Sequence, residues 1–236
     1  MELIVTDRPT GAPNKGVQLS RVSKLGGIRS WSLPALETCP GAKTDDGLDL
    51  VDVCKGCYAR AGHYRFPNVK KVRAYNKLDW QRDDWVDRMV LALDADRYLR
   101  WLDSGDIYSR LLAEKIFDVV SRTPWVKHWI PTRSHKVPKI KSVLDRVNQL
   151  DNAVVRYSSD SIDGRFSSYH GSVVIADSAD LPEGATLCSA YVSGRCNGCR
   201  QCWDKSVAVV AYVAHGRAMK KLVRRIKSAS ACGDIL

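Results

Sequence analysis

Seven of the eight cysteines fall into two groups, and this grouping constrains the fold of the chain more than any other feature. The first group has the spacing Cys-x14-Cys-x2-Cys, and the second has the spacing Cys-x7-Cys-x2-Cys-x2-Cys. A glycine lies inside a Cys-x2-Cys pair of each group, where it relieves the tight turn that brings two thiolates onto one metal centre. The groups are Cys39, Cys54 and Cys57, and Cys188, Cys196, Cys199 and Cys202, while Cys232 stands apart near the end of the sequence.

The surroundings of the cysteines are predicted to be reducing. Met1 to Thr10 carries three charged residues and no apolar core, so it does not resemble a secretory signal. No run of residues approaches the ~18 apolar positions of a membrane-spanning helix. The sequence therefore predicts a cytoplasmic protein without a membrane partner. In a reducing cytoplasm, clustered cysteines are metal ligands or redox groups more often than disulfides.

The spacing of the second group favours an iron–sulfur cluster. Three cysteines separated by two residues each, as in Cys196, Cys199 and Cys202, are typical of cluster-binding loops. Structural zinc more often takes two separated Cys-x2-Cys pairs, which Cys54/Cys57 and Cys196/Cys199 would also supply. Lys and Arg residues near both groups favour the thiolate form and offset the charge of a bound cluster. We therefore expect a [4Fe–4S] cluster, with zinc as the alternative metal.

The sequence leaves open how the cysteines are divided. The three cysteines of the first group would hold a cluster with one iron left open, and the four of the second group would fill another cluster. Alternatively, four of the seven meet around a single cluster. Cys232 is predicted not to be a ligand.

Strands and helices alternate through the middle of the chain, which is the signature of a parallel α/β sheet. The alternation fails after Tyr157, where no helix fits before the next strand. We therefore expect a single α/β domain over residues 1–236, built as a partial or irregular (β/α) barrel, with an open doubly wound sheet as the alternative. The predicted strands are Gly16–Val22, Tyr98–Leu102, Val126–Ile130, Ala153–Tyr157, Ser172–Ala176 and Ser206–Val213, and the predicted helices are Pro67–Asp94 with a break near Asn76–Asp79, Ile107–Val120, Val137–Leu150 and Gly216–Ser228.

Polar residues follow several of the predicted strands. In a (β/α) barrel the functional groups gather at the C-terminal ends of the strands. Asp106 and Ser134 would equally serve as N-caps of the helices that follow them. No catalytic residue is assigned. The predicted cofactor-binding residues are Ser104, Gly105, Asp106, Arg133, Ser134, Ser158 and Asp160.

Several segments of the chain are similar to one known family. They are Ser32-Leu-Pro-Ala-Leu-Glu-Thr-Cys39, Cys54-Lys-Gly-Cys57-Tyr-Ala, Val72-Arg-Ala-Tyr-Asn76, Asp103-Ser-Gly-Asp106, Pro131-Thr-Arg-Ser134 and Cys196-Asn-Gly-Cys199-Arg-Gln-Cys202-Trp. From about Gly16 to His215, the chain resembles the phage "gene product eighty-eight" type protein family. The resemblance implies an iron–sulfur protein of phage origin in the host cytoplasm, and it implies little about activity.

A more distant analogy links the chain to radical S-adenosylmethionine enzymes, which use a partial (β/α) barrel and a cluster on three cysteines. The analogy implies that the first cysteine group would bind such a cluster and that Ser104-Gly105-Asp106 would contact S-adenosylmethionine. The chain departs from that pattern because the compact Cys-x3-Cys-x2-Cys motif is replaced by a gap of 14 residues between Cys39 and Cys54.

The net charge of +11 attracts polyanions, and the predicted last helix is basic on one side. Our expected function is a redox or cluster-dependent enzyme with a pocket at the strand ends, served by a small molecule or an electron donor. The alternatives are a nucleic-acid-binding phage factor with a structural metal site, and a simple electron carrier.

Overall fold

The computed structural model describes residues 16–233, except for the side chains of residues 227 and 229–233. Its α-helices are α1 (Asp52–Lys55), α2 (Pro67–Asp79), α3 (Trp85–Ala92), α4 (Arg110–Arg122), α5 (Pro138–Gln149), α6 (Ala190–Ser193) and α7 (Arg217–Gly233). Its strands are β1 (Ser20–Arg21), β2 (Arg29–Trp31), β3 (Tyr98–Trp101), β4 (Lys127–Thr132), β5 (Ala153–Tyr157), β6 (Ser172–Ile175), β7 (Ala185–Leu187) and β8 (Val209–Val213). The described part of the chain is therefore mixed α/β, as predicted.

The larger sheet has five strands in the order β1-β2-β3-β4-β5. Strand β1 pairs with β2 in the antiparallel direction, and the remaining pairs are parallel. Residues of β5 are buried along its whole length, as expected where both faces of a parallel sheet are covered. The parallel direction places the C-terminal ends of β2 to β5 along one edge.

The smaller sheet is parallel and has the order β6-β8-β7. A parallel bridge joins Ser158, just after β5, to Ser172 at the start of β6. Two backbone hydrogen bonds flank that bridge, from Ser159 N to Ser172 O at 3.0 Å and from Gly171 N to Tyr157 O at 2.8 Å. The end of the larger sheet therefore adjoins the beginning of the smaller one.

Three tryptophans fill the centre of the core. Trp31 on β2, Trp85 on α3 and Trp101 on β3 are fully buried. The ring of Trp31 lies edge-on to the other two, with centroids 5.3 Å and 6.0 Å away, an arrangement that ring quadrupoles favour.

Periodicity predicted most of the elements well, with differences at their ends. The helical pattern over Pro67–Asp94 is two helices, and the break lies at residues 80–84. The helix predicted from Ile107 begins at Arg110, and the Ile107 N–H, which precedes the helix, donates to the Asp106 carboxylate at 2.8 Å. Asp106 is therefore not the N-cap of α4, a position that Ser109 takes. Ser134 does not cap α5 either, since Val137 stands there.

Two strands and two short helices were not predicted. Strands β2 and β7 have three residues each, and helices α1 and α6 have four each. The two helices span little more than one helical period of 3.6 residues and the two strands span fewer than two strand periods, so periodicity does not identify them. Within residues 16–233, no helix has the length and apolar character needed to cross a bilayer. The segment Met1–Thr10 and the side chain of Cys232 lie outside the described residues.

The buried His128 on β4 makes the stability of the fold depend on pH. Its Nδ1 accepts from Trp101 Nε1 at 3.1 Å, so its Nε2 carries the proton and donates to Thr123 Oγ1 at 2.9 Å. Burial lowers the pKa of His128 from 6.5 to about 3. The folded state therefore holds this ring neutral at pH values where the unfolded state protonates it.

We expect this histidine to reduce stability as the pH falls from about 6.5 toward 3, by about 1.4 kcal/mol for each pH unit. Urea unfolding of the wild type and of His128→Gln at several pH values between 5 and 7 would measure it. We expect the variant to be less stable than the wild type at neutral pH. Its free energy of unfolding should depend less steeply on pH, by the equivalent of about one bound proton. Parallel curves for the two proteins would contradict the assignment.

Candidate functional site

Six of the seven grouped cysteines line one cavity of about 450 Å³. Residues that follow β3, β4, β5 and β8 form much of its wall, so it opens at the C-terminal edge of the strands. Its size lies within the range of small-molecule pockets. The cysteines that line it are Cys39, Cys54, Cys57, Cys188, Cys196 and Cys202.

The first group comes together although 14 residues separate Cys39 from Cys54. An antiparallel bridge joins Lys43 to Leu50, and Val51 N donates to Ala42 O at 2.9 Å. Residues 43–50 therefore form a loop that leaves the site and returns to it, closed at its base by this pairing. We call this loop the closed excursion. A single turn of helix, Pro40–Ala42, precedes this segment, and helix α1 follows it. These two elements place Cys39 and Cys54 at the same cavity.

Two glycines fix the Cys39 segment against the strand ends. A Cβ at Gly41 would lie 2.2 Å from the carbonyl oxygen of Arg133, which follows β4. A Cβ at Gly105 would lie 2.6 Å from the Cβ of Leu33, and Gly105 also has a φ of +72°. A side chain at either position would push the backbone segments apart. Close backbone packing thus sets the position of Cys39.

Burial dominates the electrostatics of the first group. It raises the pKa of Cys39 well above the usual thiol value, and the nearby Asp106, Cys54 and Cys57 raise it further. Burial also raises the pKa of Cys54, while the positive charge of Arg133 opposes that effect. The thiols of Cys39 and Cys54 are therefore protonated at neutral pH when no cation is bound. A cation bound among them would reverse this, because it stabilises thiolates directly.

The second group is assembled by backbone hydrogen bonds from distant segments. Cys188 N donates to Ala211 O on β8 at 2.9 Å, and Cys196 N donates to Lys24 O at 2.9 Å. The Cys202 thiol lies 3.2 Å from the Tyr212 hydroxyl. Cys199 does not line the cavity, and its thiol is 3.5 Å from Gln201 Oε1.

A buried arginine holds the chain around Cys202. Arg156 on β5 is 1% exposed, and its guanidinium donates to six backbone carbonyl oxygens at 2.8–3.4 Å. No carboxylate contacts it within the described residues. One arginine therefore satisfies the carbonyls of a whole turn and attaches that turn to the larger sheet. The acceptors are Cys202, Gln201, Asp204, Val207, Ala208 and Gly171.

The thiols of the second group also influence one another. Burial raises the pKa of Cys196, as does Cys188, whereas Lys24 lowers it. Burial raises the pKa of Cys202 to about 11, and Arg156 is among the groups that oppose this rise. Cys188 therefore belongs spatially with Cys196 and Cys202, although seven residues separate it from Cys196 in the sequence.

Arg100 on β3 lies between the two groups, and the sequence did not identify it. Its Nη2 donates to the Tyr58 hydroxyl at 3.2 Å, next to Cys57, and its positive charge lowers the pKa of both Cys196 and Cys202. The guanidinium stacks over the Trp129 ring at 4.7 Å. Its Nε is buried and, among the described residues, has no hydrogen-bond partner. The cation of Arg100 therefore lines the cavity between the two groups of thiols, while its Nε is enclosed in the wall.

The segment Ser104-Gly105-Asp106 lines the cavity, but its polar atoms are engaged with the protein. The Ser104 hydroxyl donates to Leu33 O at 2.8 Å and accepts from Arg73 Nε. The Asp106 carboxylate accepts from Thr132 Oγ1 at 2.6 Å and from the N–H of Arg133 at 2.8 Å, besides the N–H of Ile107. These residues shape the wall.

The other predicted cofactor residues are divided between two places. Arg133 and Ser158 line the cavity, while Ser134 is buried behind it. Asp160 lines a separate, open groove of about 1020 Å³, where it pairs with Lys136 at 2.5 Å. Arg133 donates to Ser159 O at 2.9 Å and lies 3.5 Å from Asp160, so it forms part of the partition between the two spaces.

Within residues 16–233, no three His, Cys, Asp or Glu side chains converge closely enough to hold a single metal ion. The donor set nevertheless fits a cluster by its chemistry, since it offers thiols in a cationic, half-buried cavity. A cluster takes one thiolate for each iron, so its ligands do not share one atom.

Comparison with known proteins gives one match. The family model described as Gene product 88 matches residues 6–232, which is most of the chain. No curated protein and no solved structure matches the chain.

Proposed function

The chain belongs to the gene product 88 family, and from this premise we propose that it is an iron–sulfur protein with a reaction site between its two cysteine groups. The first group would hold a [4Fe–4S] cluster on Cys39, Cys54 and Cys57, with one iron open toward the cavity. The second group would hold another cluster on its four cysteines. The reaction would be a redox or cluster-dependent step on a small molecule.

One observation carries the proposal. Six cysteines from segments more than a hundred residues apart line the same cavity, together with the cation of Arg100. Structural thiols scattered for packing alone would not be expected to face one space that an arginine also lines. The composition of the wall, with thiols, arginine and aromatic rings, suits a negatively charged cluster and limits its contact with water.

The arrangement of the sheets supports the same site. The adjoining sheets, read as one series of strands, would form an open partial barrel whose C-terminal edge carries the cavity. Ser104 and Asp106 already have protein partners, so we leave S-adenosylmethionine out of the proposal. A simple electron carrier is the runner-up among redox functions, and the three-cysteine first group favours the enzyme because it would leave one iron open to a substrate, which a carrier does not need.

The test is the content of iron, acid-labile sulfide and zinc in anaerobically purified protein, with an ultraviolet–visible spectrum. We expect roughly eight iron atoms and as many sulfides per chain if both clusters form. Stoichiometric zinc without iron would overturn the proposal and favour a structural metal in a nucleic-acid-binding factor. Reversible reduction without any spectral response to small molecules would favour the electron carrier.

A further inference from the structure

Helix α7 covers the first cysteine group with its apolar face. Met219, Leu222 and Val223 on this face pack in one hydrophobic cluster with the buried Cys54 and its neighbours. The contact with the Cys54–Cys57 turn is very close, because a Cβ at Gly56 would lie 2.9 Å from the Cα of Met219. The helix therefore covers this turn at Gly56, which is buried.

The opposite face of α7 carries four exposed cations on two helical turns. Arg217, Lys220, Lys221 and Arg224 have the spacing i, i+3, i+4 and i+7, which places them on one side of the helix. With Gly216 they line a surface hollow of about 600 Å³. We call these four residues the basic face.

No ion pair within the described part of the chain involves a residue of the basic face. This differs from the other cations near the first group, since Lys55 pairs with Asp49 at 3.1 Å and with Asp52 at 3.3 Å. Four neighbouring positive charges without acidic partners repel one another. An acidic surface placed against them would relieve that repulsion.

The thickness of α7 sets the distance between the basic face and the cysteines. A helix with its side chains is about 10 Å across, and its inner face contacts Gly56, between Cys54 and Cys57. The imidazole of His215, just before α7, stacks on Tyr58 with ring centroids 6.3 Å apart. A protein bound to the basic face would thus lie about one helix width from the first group.

We propose that the basic face is the docking site of a small acidic electron-donor protein that reduces the cluster of the first group. The inference rests on the proposed iron–sulfur function. In each encounter one electron would pass from the reduced donor to the oxidised cluster that Cys39, Cys54 and Cys57 would hold, and the donor would leave oxidised, with no bond made or broken. The small size of the face suits the limited interfaces of transient redox encounters, in which charge provides fast association.

A protein partner agrees with the face better than a nucleic acid does. Four charges over two helical turns cover roughly 10 Å of length, which is few phosphates of a nucleic acid. The face also presents no aromatic ring, whereas single-stranded nucleic acids are usually held by stacking on aromatic side chains. Electron transfer gives a reason for the position of the basic face directly behind the cysteine turn. Nucleic-acid binding does not require that position.

The experiment compares anaerobic reduction rates of three full-length proteins: the wild type, Lys220→Glu/Lys221→Glu, and a control, Lys127→Glu/Lys139→Glu, with the same charge change on exposed lysines elsewhere. The reductants are a reduced plant-type ferredoxin, which is small and acidic, and photoreduced deazaflavin, which is a small molecule. We expect ferredoxin to reduce the basic-face variant about tenfold or more slowly than the wild type and with less salt dependence. The control variant and all rates with deazaflavin should change little.

Each other outcome has a separate meaning. If ferredoxin reduces the basic-face variant as fast as the wild type, while deazaflavin reduces both, the docking site is wrong and the cluster proposal stands. If neither reductant bleaches the wild type, or if the protein contains no iron, the proposed function itself fails. A labelled single-stranded oligonucleotide that binds the wild type and not the basic-face variant, with ferredoxin rates unchanged, would assign the face to nucleic acid and overturn the inference.

Discussion

Replacing Cys54 with alanine is expected to remove the iron of the first cysteine group and to leave the iron of the second. Cys54 is the most buried thiol of its group, and it lies with Cys39 at one end of the shared cavity. With only two thiolates left, the first group would not retain a cluster. The iron content should fall from roughly eight to roughly four atoms per chain. The loss of a buried sulfur costs the fold little, because the side chain is small.

The measurement is iron and sulfide per chain in anaerobically purified Cys54→Ala, beside Cys202→Ala for the second group and Cys232→Ala as the control. Circular dichroism establishes that each variant is folded. The two site variants should each lose half of the iron, and the control none. Loss of all iron in either site variant would mean that both groups share one cluster. Full retention in Cys54→Ala would remove Cys54 from the ligands, and a loss in Cys232→Ala would show that the isolated cysteine is a ligand.

Replacing Arg156 with methionine is expected to destabilise the protein by at least about 3 kcal/mol, since each buried acceptor left unsatisfied costs roughly 1–3 kcal/mol. The buried guanidinium donates to six backbone carbonyls, and methionine fills part of its volume without supplying any donor. Those carbonyls would then be buried without partners, each at a cost. The turn that carries Cys202 should loosen from the sheet, and the second group should lose iron more readily.

Urea unfolding of Arg156→Met would measure the loss, with Arg146→Met as the matched control. Arg146 lies on the surface of α5 with its side chain 48% exposed and pairs with Glu114, so its replacement should cost less than about 1 kcal/mol. Arg156→Lys should fall between the two, because an ammonium group has three donors and cannot reach all six carbonyls. Equal midpoints for Arg156→Met and Arg146→Met would show that the carbonyls find other partners.

The sequence predicted those elements whose side chains repeat with a clear period. Helix α5, opened by Pro138, and strand β5 were predicted within one residue of their observed ends. The start of α4 was predicted three residues too early, at Ile107, whose N–H donates to the Asp106 carboxylate ahead of the helix. This bond depends on strand β4 delivering Thr132 and Arg133 to the same carboxylate, so it is a tertiary effect that propensity does not contain.

The cysteines were identified from their spacing, whereas the two arginines that organise them were not. Arginine is almost never buried, so Arg100 and Arg156 read as solvent-facing positions of their strands. The signal that could have identified the two arginines lies in the predicted parallel strands. Strands of a parallel sheet that is covered on both faces read as continuous apolar runs, so an arginine within β3 or β5 interrupts such a run. Such an interruption indicates a buried cation with a structural or binding role.

The closed excursion of residues 43–50 changes what the distance between Cys39 and Cys54 means. Because the Lys43–Leu50 bridge joins the two ends of this segment, the number of residues between Lys43 and Leu50 has no effect on where the two thiols lie. Related chains could lengthen or shorten this segment through insertion and deletion and still present the same three thiols. Pattern searches that demand a fixed interval between ligands would miss such chains, whereas a search that allows any interval closed by a short antiparallel contact would find them.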